Sequence, residues 1–580
     1  MLYPTLPTKP STREAVDYFK GYNHNLRISN NEFFRMTNMT SDHYPVLSPR
    51  GKRGLFAMPA SPQGLIAKND IVCYVDGKDF VMGDTRIPME LDTDAARCPK
   101  QLVSMGAYVI IMPDKKYINT IDPQDFGVIE AMYSSEGEIT VSLCTIAGES
   151  YENATVSPTE PENPKNLDYW LDTSGTTHVL KQWSATSAMW VSISTTYVKI
   201  AASGIGKQFQ VNDGVEISGL GVEELNGSTV IRALGDDYIV IQGLLDTVHT
   251  QTSLIKVDRA MPELDFLIES GNRLWGCRYG TNRKGETVNE IYASKLGDFR
   301  NWSCFMGIST DSYTASCGTD GPFTGAITHM GYPLFFKENC VHKVYGSIPA
   351  NFQIQDTACR GVQKGCHRSL AIVNETLFYK ARSGICAYDG SLPVDASYPL
   401  GKVAYSNAVA GSHGDKYYVS MQDSTDQWHL FVLDTAKTMW HREDNLHASA
   451  FCSCGDEMYC IDAKDRNIIT LLGSGDPYEE EVTWEVETGE IGIASPDMKY
   501  ISRLLIRIAV ETGSELQIYV QYDLSNEWIQ VCNIRGTDLR SFSIPIRPRR
   551  CDNMKMRITG TGPMKIYGWT KTIAQGSDRS

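Results

Sequence analysis

Gly414-Asp415-Lys416-Tyr417-Tyr418-Val419, a tight turn followed directly by an apolar run, is the stretch that decides the fold. The pattern also begins at Gly331, Asn374 and Gly455, so these four copies start 43, 40 and 41 residues apart. Earlier copies begin at Asn69, Gly106 and Gly271. Between the turns, short runs rich in Val, Ile, Tyr, Phe and Trp alternate with Gly, Asn and Asp, which indicates strands and turns throughout.

A repeat of about 40–45 residues with several short strands is typical of the blades of a β-propeller. Asp76-Gly77 and Asp389-Gly390 mark further hairpin turns within the repeats. Because each such sheet is too small to bury its own faces, the sheets must pack on one another. We therefore predict an all-β protein with a β-propeller of about seven blades, within a range of six to eight. A pair of β-sandwiches with evenly spaced hairpins is the alternative.

Two breaks in the repeat set the predicted domains. The linker Ser157–Pro164 precedes one β-rich segment, and the acidic turn Asp476–Glu481 precedes another. Ser11 and Glu14 resemble a capping box, which predicts a short helix. We expect an N-terminal arm with that helix over 1–55, the first blades over 56–156, an inserted small β-barrel or sandwich over 165–258, the remaining blades over 259–475 and a C-terminal β-sandwich over 476–580.

The amino-acid composition and the lengths of the apolar runs argue against several classes of protein. The 580 residues include 54 Lys and Arg against 69 Asp and Glu, a formal net charge of −15, which opposes nonspecific binding to nucleic acid. No apolar run is long enough for a membrane span, and Met1–Pro7 lacks the features of a secretory signal.

The 15 cysteines contain no Cys-x-x-Cys motif, and many lie in apolar runs. This pattern predicts reduced thiols packed as small apolar groups in a protein assembled in a reducing cytosol. A zinc site is the alternative, but the spacing of ligands that it needs is absent.

No sequence motif assigns a catalytic, cofactor-binding or metal-binding residue, so we expect no such site and no cofactor. The chain lacks the zinc-hydrolase motif, the phosphate-binding loop and the nucleophile elbow. His441-Arg442-Glu443-Asp444 resembles a reactive cluster, yet it follows a strand and fits a solvated turn. The pairs Asp462 and Asp465, and Asp92 and Asp94, fit polar loops better than catalytic carboxylates.

Aromatic side chains leave sugar binding open as an alternative function. Trp484, Trp528 and Trp569 lie in alternating strands, where burial in the core is the ordinary outcome. Exposed aromatic rings could instead bind sugars. The insert or the C-terminal sandwich is therefore an alternative site of carbohydrate recognition.

Three stretches resemble one family. Asn31–Arg50 is similar to the entry segment of phage virion proteins, and Asn289–Trp302 is similar to a strand and turn in the same chains. The C-terminal segment that ends in Gly576-Ser577-Asp578-Arg579 resembles their tail segment. Together these stretches resemble the β-propeller tail hub, nozzle or stabilisation proteins of tailed bacteriophages.

The resemblance implies a non-enzymatic virion protein that forms a ring in the phage tail, closes the head–tail channel and conducts DNA during ejection. Its partners would be further copies in a homo-hexameric ring, a portal or adaptor protein, tail fibres or tailspikes, and DNA that passes the lumen without specific binding. It would be assembled in the host bacterial cytoplasm and reside in the virion tail. The alternatives are a cytosolic β-propeller interaction scaffold and a carbohydrate-binding tail or receptor-recognition protein.

Overall fold

The computed structural model describes residues 11–94, 99–151 and 154–575. Met1–Pro7 and Gly576–Arg579, considered above, lie outside these ranges. The described residues form strands and four short 3-10 helices, and the predicted all-β class is confirmed. The 3-10 helices are Glu223–Leu225, Pro349–Asn351, His367–Ser369 and Tyr398–Leu400. No helix in this part of the chain has the length and hydropathy that a membrane crossing requires.

The chain divides into two compact units. The first contains the described residues within Met1–Lys100, Phe336–Val341 and Thr357–Ser580, and the second contains those within Gln101–Phe335 and His342–Asp356. Both units contain small antiparallel sheets whose neighbouring strands follow one another along the chain, and we refer to these as meander sheets.

Four of these meander sheets belong to the first unit. Their strands are Pro62–Lys68, Ile71–Asp76, Asp79–Met82 and Thr85–Pro88; Ala371–Val373, Thr376–Ala381, Gly384–Tyr388 and Val394–Asp395; Tyr405–His413, Lys416–Asp423, Trp428–Asp434 and Met439–Arg442; and Ala448–Cys454, Glu457–Asp462 and Ile468–Thr470. The last sheet takes its fourth strand, Gly54–Ala57, from the N-terminal part of the chain, and Asp476–Pro477 pairs beyond it.

Three further sheets have the same strand order. Their strands are Gln101–Met105, Tyr108–Met112, Lys116–Asn119 and Phe126–Val128; Phe266–Ser270, Arg273–Thr281, Thr287–Ala293 and Tyr313–Ser316; and Gly325–His329, Tyr332–Lys337, Cys340–Tyr345 and Gln353–Ala358.

Every repeated turn in the sequence joins the first and second strands of one of these seven sheets. At one turn, Asn374 and Glu375 both have positive φ, 46° and 60°. Two consecutive left-handed residues give the tight turn whose twist matches that of paired strands, and Asn adopts this conformation readily. Local turn chemistry therefore explains why the repeat was visible in the sequence.

A separate group of strands lies between residues 131 and 259 in the second unit, and we refer to it as the 131–259 module. One sheet contains Ala131–Ser134, Lys256–Arg259, Gly214–Ser218 and Gly227–Val230. A second contains Ala233–Gly235, Tyr238–Gln242, Tyr197–Ala201, Ile139–Cys144 and His249–Gln251, and a third contains Ala154–Ser157, Tyr169–Asp172, Val179–Ser184 and Met189–Ser192. Strands before residue 165 thus pair with strands inside the segment 165–258.

A nine-stranded sheet joins the two ends of the described chain in the first unit. Its strands are Ser11–Val16, Gly21–Tyr22, Glu32–Thr37, Thr483–Thr488, Lys499–Tyr522, Ile529–Ile544, Arg550–Cys551, Met554–Thr561 and Met564–Gln575. A small hairpin of Met39–Thr40 and Ser48–Pro49 follows the third of these.

The predicted N-terminal helix is wrong, because Ser11–Val16 is a strand. It pairs with the last strand from Ser11 opposite Ala574 to Val16 opposite Trp569, and Val16 is buried. A helix this short is marginal in water, whereas a sheet edge offers a hydrogen-bond partner to every second backbone group. Long-range pairing therefore overrides the capping pattern.

The cysteines that the structure describes are free thiols, and most are buried. Burial raises the pKa of the Cys73 thiol to about 12 and that of the Cys144 thiol to about 11. These thiols are neutral at physiological pH and pack as apolar groups, as the sequence predicted.

Candidate functional site

A cavity of about 600 Å³ in the first unit combines aromatic, acidic and basic side chains. We refer to it as the Trp428 pocket. Trp428 begins the strand Trp428–Asp434, Arg442 ends the strand Met439–Arg442, and Asp462 ends the strand Glu457–Asp462. Strand ends from two consecutive sheets thus supply its wall. The lining residues are Thr37, Arg53, Trp428, Arg442, Asp444, Asn445, Leu446, His447, Asp462, Lys464, Asp465, Tyr478 and Glu479.

Three aromatic side chains have fixed positions in this wall. The Trp428 and His447 rings stack with centroids 3.6 Å apart and planes within 12°. Burial lowers the pKa of His447, so the stacked imidazole is neutral at pH 7. The Tyr478 hydroxyl donates a hydrogen bond of 3.0 Å to Asp465 Oδ2. The pocket therefore holds a flat aromatic surface beside a carboxylate oriented by a phenol.

Buried ion pairs hold the back of the pocket. Arg53 Nη1 donates to Asp444 Oδ2 at 2.7 Å, and Arg53 Nη2 donates to Glu443 Oε2 at 2.8 Å. The Arg50 guanidinium donates to both oxygens of Glu479, at 2.7 and 2.8 Å. Arg53 is 3% exposed, so its charge is stable there only because these carboxylates neutralise it.

The two carboxyls Asp444 and Asp462 line one cavity but have opposite pKa shifts. Burial by itself would raise the pKa of Asp444, but the charge and hydrogen bonds of Arg53 lower it below the ordinary value. Burial raises the pKa of Asp462, and the N–H of Lys464, which donates to its Oδ1 at 2.9 Å, offsets only part of that rise. Environments that separate two carboxyl pKa values are characteristic of acid–base sites.

The Arg442 side chain lines the pocket and is held in place by neutral hydrogen-bond partners. Its Nε donates to His429 Nδ1 at 3.2 Å, its Nη1 to Thr37 Oγ1 at 3.0 Å, and its Nη2 to Asn445 Oδ1. Burial lowers the pKa of this guanidinium, but an arginine remains charged at any physiological pH. The pocket therefore presents both hydrogen-bond donors and acceptors.

The structure places several residues differently from the expectation of solvated loops. His441 and Glu443 are buried, at 1% and 6% exposure, and Asp462 is 8% exposed. Asp444 meets Asp462 and Asp465 in one pocket, although the sequence analysis considered Asp444 apart from that pair. Burial of these strand-end and turn residues depends on the neighbouring sheets, which local sequence does not specify.

Other residues considered from sequence lie elsewhere. Asp92 accepts the N–H of Asp94 at 2.9 Å in a local turn, outside the Trp428 pocket. Trp484 and Trp569 are buried as expected of core residues, whereas Trp528 is half-buried under the Arg557 guanidinium at 4.0 Å. Sequence reasoning missed Arg53, which has no local signal, and used Glu479 only as part of a domain boundary.

Two other cavities have similar volumes. One of about 600 Å³ in the first unit is lined mainly by apolar side chains, including Leu392 and Tyr398. Another of about 620 Å³ in the second unit contains Asp258 and several ion-paired residues. Across residues 11–94, 99–151 and 154–575, no group of three or more His, Cys, Asp or Glu side chains is arranged to hold a metal ion. Of these three cavities, the Trp428 pocket is the one that combines a stacked aromatic pair with carboxylates and an amide.

No protein-family model matches the chain, and no curated protein matches it. Solved structures do. An exo-β-1,3-galactanase from Phanerochaete chrysosporium matches with 9% identity and a TM-score of 0.20, over 53% of this chain and 94% of the galactanase. PorZ, a surface component of the type-IX secretion system of Porphyromonas gingivalis, matches with 10% identity and a TM-score of 0.25, over 91% and 82%. A GH43 glycoside hydrolase with xylanase and arabinofuranosidase activity matches with 8% identity and a TM-score of 0.19, over 55% and 100%.

These comparisons correct the functional expectations. The resemblance to phage tail hub, nozzle or stabilisation proteins is contradicted, because the structural neighbours are glycoside hydrolases and PorZ. The expected role as a tail ring that conducts DNA is contradicted with it. The expectation of a non-enzymatic chain is also contradicted, since glycoside hydrolases are among the neighbours. The error came from short stretches of similar sequence that contain no diagnostic motif.

Proposed function

We propose that this chain is a carbohydrate-binding protein and that the Trp428 pocket is its glycan site. The seven meander sheets, in this proposal, are the blades of a β-propeller, with the 131–259 module inserted between two of them. The nine-stranded sheet would form a further domain that ties the chain ends together. Sheet ends and loops at such a site can vary in sequence while the blades keep their packing.

One observation carries the proposal: the stacked Trp428–His447 pair lies in the same cavity as fixed carboxylates and an amide. A sugar ring has an apolar face of C–H groups and an equator of hydroxyls. An aromatic plane matches the first, and carboxylate or amide groups that are already oriented match the second. The cavity volume of about 600 Å³ is within the range for sites of small ligands.

The wall also supports the roles of individual residues. The Trp428 ring would contact the face of the sugar, Asp465 and Asn445 would bind hydroxyls, and Arg442 would donate to ring or hydroxyl oxygens. Asp444 has its charge satisfied by Arg53, so it serves as a rigid support. Pre-oriented groups lower the entropic cost of binding, which is the main cost for a weak glycan ligand.

Titration calorimetry with galacto-, xylo- and gluco-oligosaccharides tests the proposal. We expect at least one series to bind the full chain, and Trp428→Ala to raise its Kd at least tenfold, a change of about 1.4 kcal/mol. Trp528→Ala is the matched control, because Trp528 is a half-buried tryptophan of the same unit outside the pocket. The absence of binding by any series, or equal effects of the two variants, would contradict a glycan site at Trp428.

Cleavage of the bound glycan is a second candidate function. It is favoured by the opposite pKa shifts of Asp444 and Asp462 in one cavity, since glycoside hydrolysis uses one protonated and one ionised carboxyl. In this reaction Asp462 would donate its proton to the leaving oxygen as the glycosidic C–O bond breaks, and the negative charge of Asp444 would stabilise the positive charge that develops at the anomeric carbon. Water would add to that carbon and release a proton to solvent, from which Asp462 would be protonated again. Release of reducing ends from the bound oligosaccharide, abolished by Asp462→Asn with binding retained, is the expected result. Binding without release would leave recognition as the only function of the pocket.

A further inference from the structure

A small cavity of about 40 Å³ lies between two consecutive meander sheets of the first unit. Lys380, near the end of the strand Thr376–Ala381, lines it from one sheet, and Tyr405 and Met421 line it from the next. We refer to it as the Lys380 cavity. A cavity of this volume can hold a few water molecules or one small ion.

The charge of this cavity is opposite to that of the chain, whose formal net charge is −15. Among the described residues, its lining includes Lys380 and Arg382 and no Asp or Glu. The Trp428 pocket and the two other cavities of similar volume each contain at least two carboxylates. The Lys380 cavity is therefore the one of these four whose lining has a net positive charge.

Two carboxylates lie near this lining but do not belong to it. Asp395 Oδ1 accepts from Ser397 Oγ, on the cavity wall, at 2.7 Å. Glu338 Oε2 lies 4.0 Å from Arg382 Nη1, on a side chain that is 72% exposed. Neither carboxylate is a partner of the Lys380 ammonium, so the buried charge of the cavity is not neutralised by them.

The Lys380 ammonium has neutral partners. Lys380 is 2% exposed, and its Nζ donates to Gln363 Oε1 at 2.7 Å and to the Ala381 carbonyl oxygen at 2.6 Å. It forms no ion pair with any residue that the structure describes. An ammonium has three N–H donors, so one remains. Burial lowers the pKa of Lys380 because its charged form has no anion beside it.

Two other buried lysines of the same unit have the partner that Lys380 lacks. Lys499 Nζ lies 3.5 Å from Asp552 Oδ1, and Lys571 Nζ lies 3.1 Å from Glu14 Oε2. A buried charge is stable when it is paired and costly when it is not. At Lys380, an anion taken from solvent can supply the negative charge that a carboxylate supplies to the other two lysines.

We propose that the Lys380 cavity binds a small monovalent anion, such as chloride, on the Nζ atom of Lys380. The third N–H of the ammonium would donate to the anion, and the exposed Arg382 guanidinium would add attraction. Ser383 lines the cavity with a hydroxyl that forms no hydrogen bond within the described ranges, and it is a further donor. One buried ammonium matches one negative charge, whereas a divalent anion would leave a charge buried and unpaired.

Thermal unfolding of the full chain in mixtures of sodium chloride and sodium gluconate tests the proposal. Total salt is held at ~0.15 M, so that screening of surface charges is the same in every sample. Gluconate is too large for the cavity. We expect the Tm to rise with the chloride fraction and to follow a one-site saturation curve, because the anion binds the folded state and not the unfolded one.

Lys380→Met should abolish this chloride-dependent rise. Lys571→Met is the matched control, because Lys571 is a buried lysine of the same unit with its own carboxylate. The control should be less stable than wild type, yet its Tm should rise with chloride as the wild-type Tm does. A chloride dependence that Lys380→Met retains, or that both variants lose equally, would overturn the proposal.

Two further measurements decide the question if Lys380→Met does not fold. Arg382→Glu changes an exposed side chain and should raise the Kd for chloride about threefold or more, because it replaces attraction by repulsion near the anion. Crystals of the wild-type chain grown in bromide should show an anomalous peak in contact with Lys380 Nζ. Equal melting of the wild type in chloride and gluconate would indicate a neutral amine at Lys380 and would overturn the proposal, as would bromide found only at other sites.

Discussion

The wall of the Trp428 pocket buries charge, whereas the core of the 131–259 module buries hydrocarbon. In the pocket wall, Arg50 and Arg53 are held by three carboxylates. In the module, Val198, Ile200 and Ile239 are among the fully buried aliphatic side chains of one cluster. Burying apolar area stabilises a fold whichever residue supplies it, but a buried charge is stable only while its partner is present.

The comparison shows that the pocket wall retains buried ion pairs, whose desolvation costs free energy. An apolar replacement of similar volume would often be at least as stable as a buried ion pair. Orientation of the pocket groups is a reason for a binding site to keep the charges. The following predictions test whether the two regions respond differently to change.

The largest expected effect is on the module. Deleting 165–258 behind a short Gly/Ser bridge removes the strands that pair with Ala131–Ser134 and Ile139–Cys144, so Tyr133, Ile139 and Val141 lose their core. We expect this variant to lose cooperative melting of the second unit. Deleting 131–259 is the matched comparison and should remain folded, because Ala131 and Arg259 are opposite each other in neighbouring strands and a short bridge can join the ends. Calorimetry distinguishes the two, and a cooperative melt for the shorter deletion would contradict the boundary at residue 131.

The second effect is on the pocket wall. Arg53→Ala removes the closer of two buried cations from Glu443 and Asp444, which keep only Arg50 at 3.7 and 3.5 Å. It should lower the free energy of unfolding by about 3 kcal/mol, the lower end of the range for a broken buried pair. Urea denaturation measures the change. Arg535→Ala removes an exposed arginine from a surface pair with Glu515 in the same unit, and should cost about 1 kcal/mol or less. Similar costs for the two variants would show that the wall does not depend on its buried charges.

The third effect concerns pH and His441. Burial lowers the pKa of His441 to about 3, and its Nδ1 is buried without a hydrogen-bond partner in the described structure. Because the folded pKa is below the unfolded value, the unfolded chain binds the proton first as pH falls. The stability contributed by neutral His441 is complete above pH ~6.5 and decreases between ~6.5 and 3, by at most about 1.4 kcal/mol per pH unit.

Chemical denaturation of wild type and His441→Gln at pH 7, 6 and 5 measures this dependence. The variant should show a smaller loss of stability per pH unit. The carboxyl of Asp444, whose pKa is lowered, gives stability that is lost only at more acidic pH, so it does not mask the effect. Equal pH dependence in the two proteins would contradict a neutral buried His441.

The smallest effect is a single methylene in the module core. Ile200 is fully buried, and Ile200→Val should lower the free energy of unfolding by about 0.5–1.5 kcal/mol through lost packing. Ile121→Val in the same unit should have almost no effect, because Ile121 is 76% exposed. Thermal melting compares them. A null result at Ile200 would show that the core relaxes around the cavity.

Sequence reasoning predicted those parts of the fold that depend on neighbouring residues. Asn374 and Glu375 form a left-handed turn between two apolar runs, and the hairpin at Asp76-Gly77 joins Ile71–Asp76 to Asp79–Met82 as expected. The helix at Ser11 failed because its competitor, pairing with Met564–Gln575, lies at the other end of the described chain. Local propensity was a weak guide wherever a distant strand was available.

The candidate site was less predictable than the fold. Asp444, Asp462 and Asp465 were visible in the sequence, but their shared cavity was not, and Arg53 gave no local signal. Resemblance of short stretches gave the wrong class of function. Neighbouring residues determine strands and turns, because those depend on dihedral preferences and local hydrophobicity. Only tertiary structure decides which strand ends meet and which carboxyls are buried, because burial and charge neutralisation depend on segments far apart in the chain.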